Sequence, residues 1–163
     1  STDRFYYWLY QIKKSKHLLI PENGERIFST TYVFDLVKTI VHLIQKDIEN
    51  EIFNVVSLPE NSIKEIVEAA TLHLNTKPKM VNAPAEFLME NDIHQWTDIP
   101  LWLNADYFTY SNQKLKTQLH FEPTDLNQSV GETISYFESI NWPEPKFGIP
   151  ESRKSELINL LTS

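Results

Sequence analysis

Three glycines in 163 residues, Gly24, Gly131 and Gly148, set the first limit on what this chain can become. A fold that grips a dinucleotide by its pyrophosphate needs several glycines within one strand-to-helix turn. Only backbone without Cβ atoms lets the phosphates reach the N–H groups at a helix start. The three glycines stand far apart, so the chain carries neither that turn nor a phosphate-binding loop. It also has no cysteine, which excludes disulfide staples, thiolate metal sites and cysteine nucleophiles, and agrees with a reducing, cytoplasmic setting.

The remaining composition is that of a globular chain, 41% hydrophobic and 23% charged. At this length roughly two-thirds of the unfolded surface can be buried, so a real core is expected in a single domain spanning 1–163. Fifteen basic against twenty-two acidic residues leave a net charge of −7, which argues against a nucleic-acid partner. The one basic cluster, Lys13, Lys14 and Lys16, closes a helix, where positive charge complements the dipole. No apolar run approaches the length of a membrane span. The segment Ser1-Thr2-Asp3-Arg4 does not resemble a signal peptide, and the methionines are Met80 and Met89 only. Processing or expression as a fragment is the expectation drawn from that start.

Periodicity predicts an α/β pattern of short strands alternating with about six helices. Phe5 to Lys16 reads as a helix, His17 to Ile20 as a strand stopped by Pro21, and Gly24 as a turn residue suited to a positive φ. Arg26 to Val33 reads as a second strand. Asp35 is expected to cap a helix whose buried face is Leu36, Val37, Ile40, Val41 and Ile44. Ile52 to Val56 reads as a buried strand. Ser62-x-x-Glu65 forms a capping box ahead of a helix burying Ile63, Ile66, Val67, Ala70 and Leu74, and Lys79 to Val81 is a further strand. Residues 84–106 form a rigid, aromatic, irregular segment with a short amphipathic piece at Phe87 and Leu88. Helices follow from Ser111 to Leu119, from a cap at Asp125, and from Pro150 to about Leu161.

The motifs of catalysis are thin. Tyr-x-x-x-Lys occurs at Tyr10…Lys14 and Tyr110…Lys114; seven tyrosines and twelve lysines give about half a match by chance, and neither pair is read as catalytic. The histidines His17, His42, His73, His94 and His120 show no metal-ligand spacing, so no metal is expected. A hydrolase nucleophile elbow is missing too. Rigid aromatics do stand together in Trp96, Trp102, Tyr107 and Phe108, which suit either a pocket wall or a lid over the core.

Six segments in order carry a resemblance. They are Thr2-Asp-Arg-Phe-Tyr-Tyr-Trp8, Leu19-Ile-Pro-Glu-Asn-Gly24, Tyr32-Val-Phe-Asp35-Leu, Ile52-Phe-Asn-Val55, Tyr110-Ser-Asn-Gln-Lys-Leu with Leu119-His-Phe-Glu-Pro123, and Glu132-Thr-Ile-Ser-Tyr-Phe137. Their order resembles the carboxy-terminal portion of an extended short-chain dehydrogenase/reductase, the NAD-dependent epimerase/dehydratase family. Phe87-Leu-Met-Glu, Trp96 to Leu103 and Gly148-Ile-Pro-Glu-Ser-Arg resemble a poorly characterised bacterial reductase-like subgroup of it.

The resemblance implies a partial Rossmann-like unit: the substrate lobe plus the last strand and helix of the sheet. NAD or NADP would be bound by an amino-terminal half that this chain lacks, so no cofactor-binding or catalytic residue is assigned here. It implies a small-molecule substrate, for which Arg4, Tyr7, Arg26, Tyr32, Trp96 and Trp102 are the candidate contacts, the two arginines holding an anionic group. Ser29-Thr30-Thr31 stand where members that grip nucleotide sugars often carry an arginine, with Arg26 further back, a departure that weakens the case for a sugar-nucleotide substrate. Phe53 to Val56 would join a sheet whose other strands are absent. The open edge predicts a homo-oligomer, with a second copy covering it. The alternative expectation is a non-catalytic binding or regulatory module of the same fold; relatives in chloroplasts associate with RNA, which the charge of −7 disfavours here.

Overall fold

The computed structural model describes residues 3–103 and 105–163; Ser1, Thr2 and Asn104, of which Thr2 opens the first family-like segment, lie outside them. The architecture is α/β, with seven α-helices and a few short strands among the described residues.

The core is built around α1 (Arg4–Lys14), which buries Tyr6, Tyr7, Trp8, Leu9, Gln11 and Ile12. Six buried positions in eleven residues exceed one face, so the helix must be enclosed from several sides. α3 (Ile63–Leu74) packs on it, and α6 (Leu126–Ser139) packs on α3. On a third side the Trp8 indole donates to the Pro100 carbonyl at 2.8 Å, tying in the aromatic loop. The last helix, α7 (Glu151–Thr162), follows Pro150, which takes the N-cap one residue ahead of its predicted place. Lys154 on α7 is buried at 2% exposure. Its ammonium donates to Gln11 Oε1 at 2.6 Å and Ser15 Oγ at 2.8 Å and pairs with Glu151 at 2.6 Å. A buried charge is tolerated only when its protons are matched in this way.

Beside α1, β1 (His17–Pro21) runs parallel to β4 (Lys79–Ala83), from His17 opposite Lys79 to Pro21 opposite Ala83. Parallel strands need a crossover, and α3 supplies it. The turn after β1 closes on Gly24 at φ 70°, where an added Cβ would stand 3.0 Å from the Lys64 backbone nitrogen. α3 starts as predicted. Glu65 N–H donates to Ser62 Oγ at 3.2 Å and Ser62 N–H donates back to the Glu65 carboxylate at 2.7 Å. Asp125 caps α6 by accepting from Gln128 N–H at 2.9 Å.

Four expectations fail, three of them for lack of a neighbour. The strand expected over 26–33 shrinks to β2 (Ile27–Phe28), flanked by antiparallel β3 (Asn61–Ser62) and parallel β5 (Tyr107–Phe108). Ser29 and Thr30 still make one backbone bond each, to Phe108 and Ser57, and then the chain turns into α2 (Val33–Gln45). The strand expected over 52–56 does not form. The segment has no regular partner; it is held only through carbonyls and side chains, such as Asn112 Nδ2 to the Val56 carbonyl at 2.9 Å. Finally, α2 is inverted. Its buried residues are Asp35 and Thr39, while Leu36, Val37, Ile40, Val41 and Ile44 are exposed. Nor does Asp35 cap its own helix, whose N-cap is Tyr32. Its carboxylate accepts the N–H and hydroxyl of Thr124 at 2.8 and 2.7 Å, in the loop before α6. Short α4 (Ala85–Glu90) and α5 (Gln113–Leu119) complete the chain, both near their predicted places.

Candidate functional site

At the N-terminal end of α1 and α2 lies a cleft of about 390 Å3, whose walls include Arg4, Thr30, Tyr32, Ser57, Trp96 and Ser129. Three of the six predicted contact residues meet there: Arg4, Tyr32 and Trp96. Each arrives on a different element, so the fold, and not local sequence, assembles them.

Arg4 opens α1. Its guanidinium carbon stands 5.0 Å from the centre of the Trp96 ring and 4.5 Å from that of Phe147, and its Nε donates to the Trp96 carbonyl at 3.1 Å. Two aromatic faces hold a cation in place without neutralising it. Among the described residues no carboxylate pairs with Arg4, and its two Nη groups have no protein acceptor. The loop presents Trp96 at φ 64°, an uncommon conformation for a bulky residue. Backbone Trp96 N–H to the Trp102 carbonyl at 3.2 Å and Asp98 accepting from His94 N–H at 2.7 Å hold that loop shut.

Tyr32, at the N-cap of α2, donates its hydroxyl proton to Glu132 of α6 in a short hydrogen bond. Gln128 Nε2 donates to the other Glu132 oxygen at 2.8 Å. Burial and then the Glu132 bond push the Tyr32 phenol well above its ordinary range, while the Tyr32 bond holds the Glu132 carboxyl below its own. The Tyr32 proton is thus held by Glu132. Between these two anchors the lining is mixed: Phe5, Val33, Leu101 and Phe137 stand beside the small hydroxyl side chains of Ser29, Thr30, Thr31, Ser57 and Thr133.

The other three predicted contacts sit elsewhere. Tyr7 is 3% exposed and lines a separate, larger cleft of about 760 Å3 between α1, β1 and α7. Its ring lies where a Cβ on Gly148 (φ 109°) would fall at 2.1 Å, so glycine is required there. Arg26 and Trp102 share one acid. Arg26 pairs with Glu22 through Nη2 at 2.6 Å and Nε at 2.9 Å, and the Trp102 indole donates to Glu22 Oε2 at 2.9 Å. That arrangement holds the Glu22 carboxyl below its ordinary value and occupies the Arg26 fork. Arg4 and Arg26 are thus not brought to one anion.

Nothing in the cleft assembles a Tyr–Lys pair. Lys114 pairs with Glu51 at 2.5 Å and lies 4.7 Å from the Phe53 ring centre, away from proton transfer at Tyr110. The small hydroxyl side chains and Glu132 were not singled out from sequence. Single serines and threonines carry no spacing signal, although Gln128 and Glu132 stand one helical turn apart and such pairs interact.

No family model matches the chain. A curated relative, UDP-N-acetyl-alpha-D-glucosaminuronate decarboxylase of Bacillus cytotoxicus, is 28% identical over 124 residues, 76% of this chain and 36% of that protein. UDP-glucuronic acid 4-epimerase of Bacillus cereus, solved with NAD, superposes with a TM-score of 0.61 at 17% identity, over 86% of this chain and 40% of the epimerase. UDP-glucose 4-epimerase of Thermotoga maritima, solved with UDP-glucose, gives 0.62 at 17% identity, over 84% and 40%. The fold is that of part of these NAD(P)-linked epimerase, dehydratase and reductase structures. The chain spans little more than a third of the curated relative and about two-fifths of these solved neighbours. Other solved neighbours are a dehydratase with NAD and a reductase with NADP, both from Bacillus anthracis. Among the described residues, no helix is long and apolar enough to cross a membrane.

Proposed function

We propose that residues 1–163 are the substrate-binding portion, a single domain, of a cytoplasmic NAD(P)-dependent epimerase, dehydratase or reductase. The observation that carries this reading is Arg4: a cation fixed between Trp96 and Phe147, with unpaired Nη donors, at a cleft whose lining mixes hydroxyl and apolar side chains. The substrate is a small anionic molecule with a ring or hydroxyls. Sugar nucleotides, which appear in the names of the relatives, are the first to test. Arg4 binds the anion, Trp96 stacks on the flat or sugar face, and the Tyr32 oxygen, its proton given to Glu132, accepts from a hydroxyl. Tyr7, Arg26 and Trp102 support the surrounding walls. Redox chemistry belongs to a cofactor-binding half outside this chain, so the chain alone turns nothing over.

Titration of the chain with UDP-glucose and UDP-glucuronate, read by tryptophan fluorescence and amide chemical shifts, tests the cleft. Saturable shifts at residues 29–32 and 96 are expected, with at least about a tenfold loss of affinity in Arg4→Ala. Ligand binding that is indifferent to Arg4→Ala and Trp96→Ala sinks the assignment. The coding sequence ahead of Ser1 tests the enzyme: a glycine-rich turn and a Tyr-x-x-x-Lys are expected there.

A further inference from the structure

The cleft between α1, β1 and α7 encloses about 760 Å3 and shares no lining residue with the one at Arg4. One face of α1 forms its floor. Tyr7, Gln11 and Lys14 recur there at helical spacing and follow one another along the helix. Two of them are buried polar side chains with a donor to spare. Gln11 is 7% exposed, and its Oε1 accepts from Lys154 at 2.6 Å and from Ser15 Oγ at 2.9 Å. Both lone pairs are then used and the amide is fixed. Its Nε2 meets no acceptor among the described residues, yet it is not sealed off from the cleft. Tyr7 is 3% exposed, with its ring packed under Gly148. Its hydroxyl likewise has no partner among the described residues and is not sealed off. Burial, and then the Glu151 charge, push this phenol above its ordinary range, so it keeps its proton.

The rim is cationic. Lys14 and Lys16 come from the end of α1 and the turn after it, and Lys79 of β4 stands opposite His17 of β1. Among the described residues none of these three lysines forms an ion pair, although the chain has twenty-two acids. Their neighbour Lys13 does, reaching Glu138 at 3.6 Å. The dipole of α1 does not account for Lys79, which lies on a strand. Two carboxylates line the cleft. Glu151 is taken by Lys154 at 2.6 Å, which leaves Glu144 against three lysines. Tyr10 and Phe147 add aromatic wall. We propose that this cleft binds a small molecule carrying two or more anionic groups, phosphates or carboxylates. The lysines meet the charges, and the Tyr7 hydroxyl and Gln11 Nε2 donate to the anionic group that reaches the floor.

Titration of this chain with pyrophosphate and with citrate in about 150 mM salt, read by calorimetry and amide chemical shifts, tests the site. At least one of the two should saturate, with shifts at residues 11, 14–17 and 79 and none at 29–32, and the tighter one tells phosphate from carboxylate. Lys14→Ala with Lys79→Ala should weaken binding about tenfold or more. Tyr7→Phe keeps the ring under Gly148 and removes only an unbonded hydroxyl. Its melting should stay within a few degrees of the parent chain, while affinity falls about three- to tenfold. No saturable binding of either anion, or shifts at the Arg4 cleft instead, overturns the proposal. So does binding indifferent to Tyr7→Phe, which would be diffuse attraction to surface lysines.

Discussion

Helices α1 and α2 make opposite use of their side chains. α1 carries three tyrosines, a glutamine and two lysines, yet most of it is enclosed, with Trp8, Leu9 and Ile12 essentially out of water. α2 is the more apolar of the two, yet it buries an aspartate and a threonine and leaves its valines and isoleucines in solvent. An amphipathic stripe therefore states which face needs cover; it does not state that the cover is in the same stretch of chain. α1 meets its partners α3, α7 and the aromatic loop within these residues. α2 meets only a polar attachment on one side.

The largest test of that contrast is truncation in each helix. Leu9→Ala removes a fully buried side chain from α1 and is expected to cost about 3–4 kcal/mol in urea unfolding. Ile40→Ala removes an equally apolar one from α2 and should stay within about 0.5 kcal/mol. Equal losses would mean that the α2 face is covered in solution. Next in size is Asp35→Ala, which strands the Thr124 N–H and hydroxyl; about 2–3 kcal/mol of destabilisation is expected. A value near zero would show that α2 is not anchored by that contact. Ser62→Ala breaks the capping box of α3, a helix tied to the well-packed side, and should cost about 1 kcal/mol by the same measurement.

The smallest effect is a dependence on acid. The Glu22 carboxyl is held below its ordinary 4.5, first by the Arg26 hydrogen bond. Because the folded pKa lies below the unfolded one, its stabilisation is complete above the unfolded value and is lost as pH falls through the folded one. Glu22→Gln should therefore lower the melting temperature near neutrality and narrow its gap from the parent chain below about pH 4. A gap that stays constant with pH would assign Glu22 a packing role only.

What could be read in advance was what is decided nearby. The Ser62–Glu65 box, the Asp125 cap and the positive φ of Gly24 each depend on a few consecutive residues, and each is found. Asp35 shows the limit. Its position early in a helix fits capping, but its carboxylate is taken by Thr124, 89 positions away. Segment 52–56 shows the same limit for strands, since β-rich composition supplies one edge and pairing requires another. In the cleft, Arg4 and Trp96 stood out by residue type, because the chain has only three arginines and four tryptophans, and Tyr32 by its place in the Tyr32-Val-Phe-Asp35 segment. Which of the six candidates would converge depended on Glu22, whose bonds draw Arg26 and Trp102 into a different cluster.

The Asp35–Thr124 contact has a consequence for recognition. Two directional hydrogen bonds, with Thr39 bonded back to the Asp35 carbonyl at 2.8 Å, fix the rotation of α2 before anything covers its apolar side. Whatever covers that side then meets a surface whose orientation is already fixed. Association loses rigid-body freedom but little further conformational entropy, so a larger share of the apolar contact remains as affinity.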